Sequence, residues 1–149
     1  MTALVFVDTN VFLYTYDQAD VEKQERARCW VAWCWQHRVG RISTQVLNEF
    51  YNNAITKFRR NISQHDARDA VRKLRLWQPP HLDTYTIDGA WAMQDRFMLS
   101  YWDALVISSA QQQGCAYLLS EDLQDKQQFD SVQKINPFNC TPEDILGAP

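Results

Sequence analysis

The chain has 149 residues, 46% of them hydrophobic and 13% aromatic, with a formal net charge of −3. That length fits one domain with a single sizeable core over residues 1–149, and that composition excludes a disordered chain. With no run of about eighteen apolar residues, and no basic leader ahead of the short apolar stretch in MTALVFVDTN, neither a membrane span nor a signal peptide is expected, which points to a cytoplasmic protein.

ALVFVD (3–8) is a short, nearly continuous apolar run, as a strand covered on both faces requires. A first helix is expected after Asp8, and VEKQERARCWVAWCWQHR (21–38) carries helical spacing. RIST (41–44) is a shorter strand candidate, followed by helical patterns in TQVLNEFYNNAITKF (44–58) and SQHDARDAVRKLRLW (63–77). The breakers in QPPHLD (78–83) predict a loop. DGAWAMQDRFM (88–98) and SYWDALVISSAQQQG (100–114) are again helical, the second ending at Gly114, a natural residue beyond a helix terminus. AYLLS (116–120) and QKINPF (133–138) complete the strand candidates. Strands alternating with helices predict an α/β fold, a three-layer sandwich with a central, mostly parallel sheet flanked by helices.

Cys29, Cys34, Cys115 and Cys140 form no CxxC pair and no zinc-ligand spacing with the three histidines, so all four are expected to be reduced thiols. Six tryptophans exceed what a small core easily hides. Trp30, Trp33 and Trp35, with the nearby Tyr14 and Tyr16, are expected to be mostly core, as aromatic residues usually are, with some surface left over for a partner.

Four acids stand where a buried-sheet protein could gather them. Asp8 ends an apolar strand, where α/β proteins open into a ligand crevice, although an Asp there can equally be an N-cap. Asp103 completes a capping box with Ser100, yet its helix phase aligns it with Val106, Ile107 and Ala110, a face with a buried pattern where a carboxylate needs a partner. Glu49 lies opposite the stripe Leu47, Phe50, Ala54, Phe58, on a polar face with Gln45 and no base three or four residues away; a solvated face explains it too. Asp122, with Glu121 and Asp125 beside it, can be an ordinary acidic turn. If a fold brought these acids together, their mutual repulsion would require something positive among them.

The blocks VFVDTNVFLY, STQVLNEF, YWDALVISSA, GCAYLLSEDLQD and KINPF resemble, in order and spacing over nearly the whole chain, the PIN-domain ribonucleases, most closely the VapC-type toxins of bacterial toxin–antitoxin pairs. That resemblance implies metal-binding and catalytic roles for Asp8, Glu49, Asp103 and Asp122. Asn10 and Ser120 would be small polar helpers, Ser120 replacing the threonine of many relatives, and Glu121 and Asp125 lie within reach as accessory acids. It also implies an RNA substrate, a small antitoxin protein and a homodimer.

A cluster of oxygens without His or Cys suits a hard cation, Mg²⁺ or also Mn²⁺. From Lys57 to Arg75 seven bases against two acids leave +5, so the remainder of the chain carries −8. Arg68, Arg72 and Arg75 in this stretch are candidate RNA contacts beside the acid cluster, unless the helix is simply solvated. Two other functions stay open on the sequence: a PIN-type nuclease of RNA processing, and a metal- or RNA-binding module without turnover.

Overall fold

The computed structural model describes residues 2–147. Five strands, β1 (Val5–Val7), β2 (Gly40–Arg41), β3 (Tyr117–Leu119), β4 (Gln128–Phe129) and β5 (Val132–Ile135), form one sheet in the order β2-β1-β3-β5-β4. All pairs are parallel except β4 with β5. Val5, Phe6 and Val7 are each fully buried, so β1 needs cover on both faces. That cover comes from the flanking helices α1 (Thr9–Tyr14), α2 (Val21–His37), α3 (Thr44–Ile55), α4 (Gln64–Leu74), α5 (Thr84–Arg96) and α6 (Tyr101–Gln112), with a short α7 (Pro142–Leu146) near the end. The expected sandwich with a mostly parallel sheet is the architecture observed.

The boundaries differ from the sequence expectation for local reasons. The second strand is Gly40–Arg41 rather than 41–44, because Ile42 and Ser43 already turn the chain into α3. Helix α5 starts at Thr84, not residue 88, because the Asp83 carboxylate accepts from Thr86 N at 2.9 Å and caps it there. The stretch 63–77 is helical to Leu74 and then tightens into a 3₁₀ turn, Arg75–Trp77. On α3 the fully buried stripe is Val46, Phe50 and Ala54; Leu47 is half-buried, as is Phe58 in the turn beyond the helix end. Strand β4 and helix α7 are too short to announce themselves by periodicity.

Glycine is required in β2, since a Cβ on Gly40 would lie 2.5 Å from the ring of Trp77. Trp30 is buried, and its indole N–H reaches the carbonyls of Pro137 and Cys140 at 3.2 and 3.1 Å, tying α2 to the chain after β5. Of the other tryptophans of α2, Trp33 is half-buried against His37 and Trp35 leans on Trp77. Of the three, Trp30 is core as expected and Trp35 is left at the surface. The most exposed aromatics, Tyr85, Trp91 and Trp102, belong to α5 and α6. All four cysteines are free, as expected. No helix among the described residues is long and apolar enough to cross a membrane.

Candidate active site

Parallel pairing sets the site. Val7 lies opposite Leu119, and Leu119 opposite Ile135, so the three strands end at one level. One residue on, Asp8 N donates to Leu119 O at 3.0 Å and Ser120 N to Ile135 O at 3.1 Å. The Asp8 and Ser120 side chains therefore emerge side by side at the carboxyl edge of the sheet, where crevices of open α/β sheets lie.

Asp8 is both things the sequence allowed. One carboxylate oxygen accepts from Thr9 N at 2.8 Å and caps α1. The other accepts from the Ser120 hydroxyl at 2.8 Å and lies 3.5 Å from Asn10 Nδ2. Burial pushes its pKa up to about 6, against the lowering by the Ser120 and Thr9 hydrogen bonds and with further raising by Glu49 and Asp122.

Glu49 reaches the same place from α3. It is half-buried rather than solvated, accepting from Thr9 Oγ1 at 3.0 Å and from Gln45 Nε2 at 2.8 Å. Asp103 sits in the first turn of α6, whose N-cap Ser100 accepts from Asp103 N at 3.1 Å. The reciprocal half of a capping box is missing, and the half-buried Asp103 carboxylate makes no hydrogen bond among the described residues. Asp122 is exposed; it accepts from Asn10 Nδ2 at 3.2 Å, and its N–H donates to Ser120 Oγ at 3.1 Å. Asn10 thus links Asp8, Ser120 and Asp122, with its Oδ1 taking the Glu121 N–H at 3.3 Å.

Asp8, Thr9, Asn10, Gln45, Glu49, Asp103, Glu121 and Asp122 line one cavity of about 360 Å³, while buried Ser120 is outside its lining. Five of its side chains are carboxylates, Asp8, Glu49, Asp103, Glu121 and Asp122, and one is a base, Lys57. The accessory acids separate here. Glu121 lines the cavity but pairs with Lys23; although burial raises its pKa, bonds from Lys23 and Tyr14 bring it below the ordinary carboxylate range. Asp125 is outside the lining: it accepts from Asn136 N at 2.8 Å and Asn139 Nδ2 at 3.2 Å and organises the following loop. Left-handed Leu123 turns the chain between the two acids and left-handed Lys126 turns it just after Asp125, and fully buried Lys134 holds the Leu123 carbonyl at 3.1 Å.

Arg68, Arg72 and Arg75 do not enter the acid cavity. They are exposed and line a separate concavity with Asn48 and Tyr51, where Arg68 Nε donates to the Tyr51 hydroxyl at 3.0 Å and Arg72 pairs with Asp69 at 2.7 Å. Thr9, Gln45, Lys57 and Trp102 line the acid cavity without having been singled out from the sequence as site residues. Gln45 left a signal, four residues before Glu49 on the same helix face, and so did Lys57, the first base of the basic stretch. Among the described residues, the three ligand-type side chains whose atoms all lie within 4.8 Å of one another are His65, Asp66 and Asp69 on α4, where Asp69 is already engaged by Arg72; no three of the cavity acids come that close.

The donor set of the cavity fits a hard divalent cation: oxygen ligands only, an excess of negative charge, and an Asp103 carboxylate with no protein partner. No curated protein matches the chain. Among solved structures it is similar to a toxin–antitoxin complex from Klebsiella pneumoniae, at 15% identity and TM-score 0.62 over 89% of this chain and 97% of that one. It is likewise similar to DNA-bound VapBC from Salmonella typhimurium, at 13% identity and TM-score 0.60 over 89% and 96%. A third neighbour is VapC20 of Mycobacterium tuberculosis, a sarcin-ricin loop cleaving toxin, at 20% identity and TM-score 0.55 over 76% and 86%. These likenesses concern the fold, and the PIN-domain family profile matches residues 5–133. With that match over most of its length, the chain belongs to the PIN-domain family.

Proposed function

We propose that this protein is a Mg²⁺-dependent endoribonuclease acting as the toxin of a toxin–antitoxin pair. The observation that carries the reading is the gathering of Asp8, Glu49, Asp103 and Asp122 in one cavity, with a half-buried Asp103 carboxylate that no protein group satisfies. Asp8, Glu49 and Asp103 would hold Mg²⁺, or Mn²⁺ in its place, and Asp122 would help place a second ion or orient the attacking water. When bound, the metal lowers the pKa of that water and neutralises charge at the scissile phosphate. Thr9 and Gln45 hold the Glu49 carboxylate, Ser120 holds that of Asp8, and Asn10 fixes the spacing between Asp8 and Asp122. Lys57 supplies the cavity's positive charge and suits a phosphate oxygen. Arg68, Arg72 and Arg75 would attract RNA along the outer side of α3 and α4.

The toxin assignment draws support from the VapC and toxin–antitoxin neighbours, which make a small antitoxin the expected partner; the homodimer is what the family resemblance implies. The test is cleavage of a structured RNA by purified protein: activity with Mg²⁺ or Mn²⁺ and none with EDTA is expected, and full activity in EDTA refutes the mechanism.

A further inference from the structure

Trp102 is the second residue of α6, next to Asp103, and 61% of it is exposed. Its carbonyl accepts from Gln45 Nε2 at 3.3 Å, and the same carboxamide nitrogen holds Glu49 at 2.8 Å. The backbone beneath the ring is therefore tied to the acid cavity. Tyr101 meets the indole edge-on, with ring centroids 5.5 Å apart and planes at 62°. What faces the ring is a second cavity of about 440 Å³, lined by Asn48, Asn52 and Leu82 and sharing Gln45, Glu49 and Trp102 with the first. Its size falls within the range of small-ligand sites.

The chemistry of this second cavity differs from that of its neighbour. Glu49 is its only charged group, and it contains no base, so it is not built for a phosphate. One flat aromatic face and an apolar Leu82 suit a planar ring. The carboxamides of Asn48 and Asn52 make no hydrogen bond among the described residues and can both donate and accept. Gln45, only 6% exposed, has its Oε1 buried without a hydrogen-bond partner among the described residues.

We propose that this cavity is a base subsite, in which an unpaired nucleobase beside the phosphate of the acid cavity stacks on Trp102 while the amides of Asn48 and Asn52 meet its edge. The subsite rests on the nuclease reading only for the adjoining phosphate. Stacking of a base on an aromatic side chain changes affinity roughly 5- to 150-fold.

Binding is measured in the Asp8→Asn protein, expected on the nuclease reading to hold RNA without cutting it, using an oligoadenylate octamer and an abasic octamer of the same charge. Adding Trp102→Ala should weaken oligoadenylate binding at least about fivefold, and Trp102→Phe much less, because a flat ring remains. Abasic binding should be unchanged, as should the melting temperature of either variant, since the ring is exposed. Equal oligoadenylate affinity with and without Trp102, equal parental affinity for the two octamers, or no parental binding of oligoadenylate overturns the subsite; the first result assigns the indole to a protein contact. The nuclease reading is separated by cleavage. A wild type that cuts RNA no faster than its Trp102→Ala variant keeps the nuclease and loses the subsite, whereas Trp102-dependent binding without any cleavage does the reverse.

Discussion

The hydroxyl of Ser120 donates to the buried carboxylate of Asp8 at 2.8 Å, joining the ends of two neighbouring parallel strands across 112 residues of sequence. The contact exists because the β1–β3 register puts both residues one step past their strands. It lowers the cost of a buried charge without removing it, since burial still holds Asp8 near a pKa of about 6.

A pH dependence follows. The folded-state pKa of Asp8 lies above its ordinary value of 3.8, so the folded protein binds more protons than the unfolded chain between the two values. Stability from this group is fully present below about pH 4 and is lost as pH rises through about 6, by roughly 3 kcal/mol at most. In EDTA, the difference in melting temperature between Asp8→Asn and wild type should therefore become more favourable to the variant from pH 5 to pH 7.5. A difference that does not change with pH over this range counts against an ionised, strained Asp8.

Asp103 and Asp125 should behave in opposite ways. Asp103→Asn should lose activity by orders of magnitude while remaining folded, because its carboxylate has no structural partner to lose. Asp125→Asn should keep activity within a few-fold of wild type and instead melt lower, by about 1 kcal/mol of stability, because it weakens the acceptor of Asn136 N and Asn139 Nδ2. Comparable activity losses in the two variants would place Asp125 in the site after all.

Replacing Arg68, Arg72 and Arg75 together with Gln should weaken RNA binding at low salt and flatten its salt dependence, by roughly one unit of log–log slope for each lost phosphate contact. Filter binding at several salt concentrations measures it. An unchanged slope means that RNA does not cross the face they share with Tyr51.

Expression without an antitoxin should arrest bacterial growth, and expression of the Asp103→Asn variant should not. Harmless expression of a wild type that cuts RNA in vitro favours a processing nuclease over a toxin.

Much of this was legible in the sequence where chemistry and periodicity coincided. The run before Asp8 is apolar because it is buried on both faces, and the phase of Asp103 with Val106 is visible in any helical projection. What stayed hidden depends on tertiary placement. Glu49 seemed solvated because its partners, Thr9 and Gln45, include one 40 residues away. Asp122 and Asp125 are indistinguishable in SEDLQD, and only the left-handed turns at Leu123 and Lys126 send one to Asn10 and the other to Asn136. The α2 tryptophans illustrate the same limit: helical spacing puts Trp30 and Trp33 near one face, but the segment after β5 buries the first far more than the second.

The sheet is bordered on both sides by two-residue strands, β2 and β4. At β2 the border is closed further, since Trp77 lies over Gly40 and the Arg41 guanidinium donates to the Gly40 carbonyl at 2.8 Å and to that of Arg38 at 3.3 Å. A margin this short, with its carbonyl already taken, gives an incoming strand almost no ladder to extend. A protein of this design is protected against edge-to-edge aggregation when made in excess of any partner, and Gly40→Ala, by displacing Trp77, would strip away part of that protection along with stability.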